Sequence, residues 1–381
     1  MKVLHVMDSL NRGGAEMLAL DVCRNARANN LDLTFAATGG GDLEDDFRRS
    51  GVDFVRLERR LPFDLRLAAQ LRRLVRERGF RVVHAHQAVE ALHAYAATVG
   101  TGARRVLSFH LCRADAKNRF ALKFLAPRMD ANLTVSRDLL RCLREEEGFE
   151  TGERFQVVYN GVDAKRLKPS GASLRTELGL SNAVALAGMV GNFYADARKD
   201  QLTVCRALPR LFAEAPHAHF VFVGAHDPRE PRLYEECVNF CREQSISGRV
   251  HFLGKRADIP DILSSLDVFV LSSRHEGLGI AAIEAMMLGI ATVVSDIGPL
   301  LEVAGGGNYA CVFRTGDAEA LSARLLELIS DKERRFELGR LGKQWATRQF
   351  SIESHIASLL KLYNSITAAK PVRVGLDAGS P

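Results

Sequence analysis

The chain has 381 residues, of which 47% are hydrophobic and 26% charged, and a formal net charge of +6. That length predicts two domains with sizeable cores, and the composition excludes a disordered or low-complexity chain. No run of about 20 apolar residues is present to span a bilayer. The N-terminus enters a strand without a signal-type apolar segment, so a cytoplasmic protein is expected. The seven cysteines contain no C-x-x-C pair and no zinc spacing, which predicts buried free thiols in a reducing compartment.

The predicted elements alternate along the chain. Strand 3–7 leads into the loop Asp8-Ser-Leu-Asn-Arg-Gly-Gly-Ala-Glu16 and a helix over 17–28. Gly13 and Gly14 either let backbone amides approach an anion or make a tight turn. Strand 31–37, the turn Gly39-Gly-Gly41, a helix to Ser50, strand 54–57 and an Arg-rich helix follow. Strand 81–86 carries His84 and His86 on one side. That spacing could ligate a metal, but no carboxylate or cysteine partner is evident, so hydrogen-bonding or structural roles are preferred. Strand 105–109 delivers His110 to a loop at its carboxyl end, where open α/β sheets hold ligands, although a lone histidine can equally be structural. Strand 131–135, a helix over 137–147 capped by Ser136, strand 156–159 and the turn Asn160-Gly-Val-Asp163 complete this half. Residues 168–172 read as an interdomain linker.

Alternation resumes with strands 183–190, 219–223, 250–253, 267–271 and 291–295, separated by helices over 200–214 and 232–244 and a short one from 259. Helices over 318–330, 331–349 and 351–368 end the pattern, and the tail from Pro371 is expected to be loose. Repetition of this kind on both sides of a linker makes two doubly wound α/β domains.

The richest stretch is Ser272-Ser-Arg-His-Glu-Gly-Leu-Gly-Ile-Ala-Ala-Ile-Glu-Ala-Met-Met-Leu-Gly289. Lying between two strands, it predicts a helix from about Gly279 to Leu288, with Gly289 as its left-handed cap. Glu276 and Glu284 then stand roughly 12 Å apart along the axis. Between them, Gly277 and Gly279 bare a helix start that attracts phosphate. An anion site flanked by two hydroxyl-seeking carboxylates suits a nucleotide-sugar. Two other readings stay open on this stretch alone. Both glutamates could be solvated helix residues. Alternatively, residues 277–282 fit G-x-G-x-x-A, with Asp296 near the offset of a ribose-binding acid, as in a dinucleotide-dependent oxidoreductase. Lys199 opens the 200–214 helix, where a cation opposes the dipole unless an anion lies nearby, or is simply exposed. Arg198, Arg256 and Arg274 are further loop cations. Asp-x-Asp does not occur, so fixed positive charge rather than a metal is expected to neutralise a diphosphate.

Glu276 and Glu284 match the E-x7-E signature of retaining glycosyltransferases of the GT-B fold, and the chain resembles glycosyltransferase family 4 over nearly its whole length. The loop Gly13-Gly-Ala-Glu16, Asn160-Gly-Val-Asp163, the segment from Val190-Gly191 to Lys199, Phe252-Leu-Gly254, His275-Glu-Gly-Leu-Gly279 and Arg348-Gln-Phe-Ser351 carry the resemblance. It implies two Rossmann-like doubly wound domains facing across a cleft. Residues 1–168 would form the acceptor-side domain, joined by a cross-over helix and tail at 350–381, and residues 169–349 would bind the donor. By the same resemblance, Glu276 holds the hydroxyls of the transferred sugar, Lys199 pairs with the diphosphate and His110 faces the sugar. Glu284 takes the ribose hydroxyls. The backbone at Gly13, Gly14, Gly277, Leu278, Gly279 and Ile280 reaches diphosphate and sugar, and Arg256 flanks the base. Where the family usually has Gly-Arg, this chain has Gly191-Asn192, and Arg198 is the expected substitute cation.

The implied activity is retaining, metal-independent transfer of a sugar from a UDP- or GDP-sugar to a saccharide or lipid-linked saccharide acceptor, in cell-surface polysaccharide synthesis. The nucleotide-sugar is a co-substrate and no cofactor is needed. A dinucleotide-dependent oxidoreductase, a non-catalytic GT-B scaffold, and an epimerase or phosphorylase on the same fold are the alternatives. Positive charge concentrates in residues 1–160, with 26 Lys and Arg against 21 Asp and Glu. Leu65, Leu67, Ala68, Leu71, Leu74 and Val75 give the Arg-rich helix an apolar side, which predicts either peripheral contact with an anionic membrane or an ordinary solvated helix. Nucleic acid is not expected as a partner, because stacking aromatics and a recognition motif are missing.

Overall fold

A computed structural model describes residues 1–112, 116–196 and 198–368. The tail from Pro371 lies outside the described residues. The chain divides into two compact units.

The first unit comprises Met1–Val135, Leu140–Val158 and the chain from His355 on. Its strands are β1 (Lys2–Met7), β2 (Asp32–Ala37), β3 (Asp53–Arg56), β4 (Val82–Ala85), β5 (Arg104–Phe109), β6 (Ala131–Thr134) and β7 (Phe155–Val157). They form one parallel sheet in the order β3-β2-β1-β4-β5-β6-β7. Each of β1, β2 and β4 is buried over at least four consecutive residues, the mark of a parallel sheet covered on both faces. Strand order reverses between β1 and β4, and the carboxyl ends on either side of such a point are where open sheets bind ligands.

The Arg-rich helix is Leu65–Arg78, with Asp64 accepting from the amides of Arg66 and Leu67 at its start. Its Leu67, Ala68, Leu71 and Val75 are buried, whereas Leu65 is 72% exposed. The apolar side expected to be available to lipid is thus largely used by the protein's own core. The expectation of free thiols fails at one pair, since Cys112 and Cys142 form a disulfide with their Cα atoms 6.1 Å apart. Thirty residues separate them in sequence, and their proximity arises only when the end of β5 and the helix Arg137–Glu145 come together. Cys23, Cys205, Cys237, Cys241 and Cys311 are free and buried, as expected.

The second unit comprises Ser136–Leu139 and Tyr159–Ser354. Its strands are β8 (Ala185–Val190), β9 (Ala218–Val223), β10 (Val250–Phe252), β11 (Val268–Leu271), β12 (Ala291–Ser295) and β13 (Cys311–Phe313). The parallel order is β10-β9-β8-β11-β12-β13. The sequence reading had no counterpart of β13, whose three residues are too few to display an alternation. The segment 168–172 is not a free linker. Asp261 accepts from the amides of Ser170 and Gly171 at 2.7 and 3.1 Å, fixing both to the second unit. Earlier in the chain, Val162 donates to Phe350 and accepts from Ile352 through the backbone. Tyr159 to Leu167 therefore group with the second unit, before the expected boundary at Lys168. The chain returns to the first unit within the helix Ile352–Ala368. Among the described residues, no helix is long and apolar enough to cross a membrane.

The helix Ile280–Leu288 starts and stops as expected, with Gly289 closing it at φ +85°. Its N-cap, Gly279, sits at φ +96°, in the left-handed region, and a Cβ there would strike the side chain of Leu300. Both effects act against any other residue. Gly279→Ala is expected to lower unfolding stability by about 1–3 kcal/mol; an unchanged urea midpoint would contradict this reading of the cap.

Candidate functional site

In the second unit the strand order reverses between β8 and β11, which pair directly with Val268 opposite Ala187 and Phe269 opposite Gly188. Residues 191–196 and 198–200 follow the carboxyl end of β8, and residues 272–279 follow that of β11. The two loops are joined by backbone hydrogen bonds. Asp200 donates to Ser272 at 2.9 Å, Arg274 donates to Arg198 at 2.8 Å, and Lys199 and Ser273 form an antiparallel bridge. This pairing brings Lys199 onto Glu276 in a direct ion pair, with side chains only 14% and 13% exposed. Ser273 Oγ donates to the same Glu276 oxygen at 2.8 Å. The lysine stem runs past Gly191, where a Cβ would press on it at 3.4 Å. Lys199 is therefore not an exposed lysine, and Glu276 is not a solvated glutamate.

Glu284 lies on the helix that follows and is buried. Arg166 donates to its Oε1 at 2.5 Å. Asp163, in the turn Asn160-Gly-Val-Asp163, accepts from the Lys165 amide at 2.8 Å and caps the short 3₁₀ turn Ala164–Leu167 that carries Arg166. Ser136 Oγ donates to the Gly277 carbonyl at 2.8 Å, and Leu278 is buried beside it. Ser273 and Arg166 were given no role by the sequence, and Ser136 was expected only as the helix cap it also is, accepting from the Leu139 amide at 3.1 Å. Nothing in their spacing marks them; the capping turn at Asp163 was the nearest signal.

The remaining cations are held by acids of their own. The Arg198 backbone belongs to the joined loops, but its guanidinium binds Asp196 at 2.6 Å and lies 4.8 Å over the Tyr194 ring. Arg256 forks onto Glu177 at 2.7 and 2.9 Å and onto Asp258 at 2.6 Å. Arg274 lies 3.1 Å from Asp200. Asn192 accepts from the Ala225 amide at 2.9 Å through Oδ1, so its amide ties the end of β8 to the end of β9. Asp296, the acid needed for the oxidoreductase reading, accepts from the Thr315 amide and hydroxyl at 2.8 and 2.7 Å.

In the first unit, Gly13 is the N-cap of the helix Gly14–Asn25, and a Cβ on it would meet the Glu16 carboxylate. His110 follows β5 and joins His5, His84 and His86 in one cluster. Burial, with a smaller contribution from His355, lowers the pKa of His5 to about 3 and that of His110 to about 4. Burial likewise holds His84 and His86 well below the usual imidazole value. The ligand atoms of His5, His84 and His86 are close enough to share a metal ion. Every ring nitrogen of the three, however, already has a hydrogen-bond partner. Cys112, Cys142 and Glu146 also group together, but a disulfide offers no thiolate.

Residues 12–166 match the model described as Glycosyltransferase Family 4, and residues 185–331 match Glycosyl transferases group 1. The chain belongs to glycosyltransferase family 4. The family 4 chain is 24% identical over 314 residues to N-acetyl-alpha-D-glucosaminyl L-malate synthase of Bacillus anthracis, covering 80% of each. It is 26% identical to the lipopolysaccharide core biosynthesis mannosyltransferase LpsB of Rhizobium meliloti, covering 64% of this chain and 68% of LpsB. Among solved structures, Anabaena Alr3699/HepE in complex with UDP and glucose superposes with a TM-score of 0.84 at 20% identity, over 96% of this chain and all of that one. WaaG, a glycosyltransferase involved in lipopolysaccharide biosynthesis, superposes at 0.70 with 15% identity, over 97% and 100%. The protein is thus a glycosyltransferase with the two Rossmann-like domains of the GT-B fold.

The histidine cluster gives this glycosyltransferase a defined acid sensitivity. Histidines with lowered native pKa bind fewer protons when folded than when unfolded. Their contribution to stability is complete above about pH 6.5 and is lost as pH falls toward 4 and 3. Buried Glu90 acts in the opposite sense, its pKa raised to about 7 by burial and by Asp8. In Glu90→Gln, where that opposing effect is absent, the melting temperature is expected to fall monotonically from pH 7 to pH 5; a flat profile would show that the histidines ionise freely in the fold.

Proposed function

We propose that the protein transfers a sugar, with retention of anomeric configuration, from a nucleotide diphosphate sugar to a saccharide or lipid-linked saccharide acceptor in polysaccharide or glycolipid synthesis. The observation that carries this reading is the half-buried Lys199–Glu276 pair at the strand-order reversal of the second unit. A buried pair costs desolvation and contributes little net stability. Its value lies in what each charge can be offered. With donor present, the ammonium turns to the diphosphate and the carboxylate accepts from sugar hydroxyls. Glu284, oriented by Arg166, takes the ribose hydroxyls. The amides at Gly277, Leu278, Gly279 and Ile280 supply the partial positive charge of an uncapped helix start. Gly13, Gly14 and His110 of the first unit are further donor-binding candidates on the strength of the family resemblance.

The chemistry follows from charge. Cleavage of the glycosidic C–O bond leaves an oxocarbenium-like sugar and a diphosphate carrying the electron pair. Lys199 and the helix terminus stabilise that developing charge as preorganised groups, without a metal ion. The acceptor hydroxyl attacks from the same face and passes its proton to a leaving phosphate oxygen, so no protein nucleophile is required. Arg198 is the second diphosphate cation once it exchanges Asp196 for phosphate, and Arg256 flanks the base. Relatives named as mannosyl- and galactosyltransferases, and a neighbour solved with UDP-glucose, support a hexose donor.

Lys199→Ala and Glu276→Ala are each expected to reduce kcat by ~10²-fold or more while folding is retained; wild-type turnover in either would refute the assignment. A thermal-shift panel of UDP-, GDP- and ADP-sugars, without added metal, ranks donors through ligand linkage. Absence of stabilisation by every member would favour a non-catalytic role. The basic face of the Leu65–Arg78 helix, with exposed Leu61 and Leu65 beside it, supports peripheral contact with anionic lipid. Flotation with anionic vesicles is expected at low salt and not at high salt; no flotation at low salt would remove the membrane from the proposal.

A further inference from the structure

The histidine cluster forms a continuous chain rather than a loose group. Ser108 Oγ lies 2.7 Å from His84 Nε2, and His84 Nδ1 lies 2.6 Å from the Tyr363 hydroxyl. The same hydroxyl lies 2.9 Å from His5 Nε2, and His5 Nδ1 lies 3.1 Å from His86 Nε2. His86 Nδ1 then reaches His110 Nε2 at 3.3 Å. The chain ends at His110 Nδ1, which is buried without a hydrogen-bond partner among the described residues. All six groups belong to the first unit. The sheet register produces the assembly, since β1 and β4 place His5 opposite His84 and β4 and β5 bring Ser108 and His110 alongside.

A neutral imidazole carries one N–H and one lone pair, so each ring passes on the direction in which hydrogen bonds run. The whole chain therefore has two possible polarities. If Ser108 accepts, its own O–H has no acceptor and His110 Nδ1 is a bare lone pair. The donor left over, among the described residues, is then the Ser108 hydroxyl inside the sheet. If Ser108 donates, the direction runs through His84, Tyr363, His5 and His86 to His110, and a single N–H is left over, at His110 Nδ1. Either polarity makes five hydrogen bonds and leaves one donor over, and an unmade hydrogen bond of a buried donor is expensive. Ser108 is buried within β5 whereas His110 lies beyond the strand's carboxyl end, so the second polarity, which puts the spare donor at His110, is favoured. Its one spare donor is at the carboxyl end of β5, where a ligand can satisfy it.

We infer that Ser108, His84, Tyr363, His5 and His86 are positioning residues that hold His110 as the Nδ1–H tautomer, a fixed donor aimed at an oxygen acceptor such as a saccharide hydroxyl. The identity of that acceptor rests on the proposed transferase reading; the tautomer does not. Low pKa values throughout the cluster keep the rings neutral at pH 7, as the directionality requires.

The test is long-range ¹H–¹⁵N NMR of the full chain labelled at histidine, which distinguishes protonated from bare ring nitrogens without any substrate. Wild-type His110 is expected as a single Nδ1–H tautomer. Tyr363→Phe, which cuts the chain at its centre, and Ser108→Ala, which removes its origin, are expected to turn that signal into a mixture. In steady-state assays both variants are expected to lose roughly fivefold to tenfold in kcat, about one neutral hydrogen bond, with donor KM little changed. The inference is overturned by a wild-type Nε2–H tautomer, by a His110 signal unchanged in Ser108→Ala, or by one equivalent of tightly bound metal in the purified protein. Failure of the transferase reading would appear elsewhere, as unaltered turnover in Lys199→Ala, and would leave the tautomer result standing.

Discussion

The second unit's site depends on two loops that have no obligation to meet unless β8 and β11 are neighbours. Parallel strands emerge at the same edge of a sheet, and reversal of strand order sends their connections to opposite faces, opening a crevice between them. Here that crevice is partly bridged by backbone hydrogen bonds between residues 198–200 and 272–275. Because Lys199 is fixed by its main chain to Ser273, its ammonium does not search for Glu276. The half-buried ion pair is therefore a product of sheet topology before it is a product of attraction.

The same logic governs the first unit with different chemistry. Reversal between β1 and β4 brings His5 against His84, and the next strand adds Ser108 and His110. One unit places opposite charges at its reversal point, while the other places neutral, directional hydrogen-bonding groups. Charge suits a diphosphate and direction suits hydroxyls, so the two units differ in kind as well as in sequence.

Much of this was legible beforehand, because long apolar runs at regular spacing identify parallel strands and Gly-bounded helices identify themselves. The helix Ile280–Leu288 with its two glycine caps was readable residue by residue. The partners of the key groups were not. Arg166 lies more than a hundred residues from Glu284, and Ser273 looks like any loop serine. Likewise, Cys112 and Cys142 give no sign of pairing, because sequence encodes local periodicity and says little about which loop ends meet. Asn192 is instructive for the opposite reason. Its departure from the family pattern was visible, but its bond to the Ala225 amide, which stitches two strand ends together, appears only in three dimensions.

Tyr363 is the central link of the histidine chain and lies in the final helix, some 280 residues after His84 and still further from His5. The amino-terminal unit therefore lacks a buried piece until the helix Ile352–Ala368 has been made. A ribosome-bound chain ending before this helix would present three imidazoles to water where the finished protein encloses them. Maturation of that half must wait for the helix Ile352–Ala368, which follows nearly all of the second unit along the chain, so the two units cannot be completed in the order in which they begin.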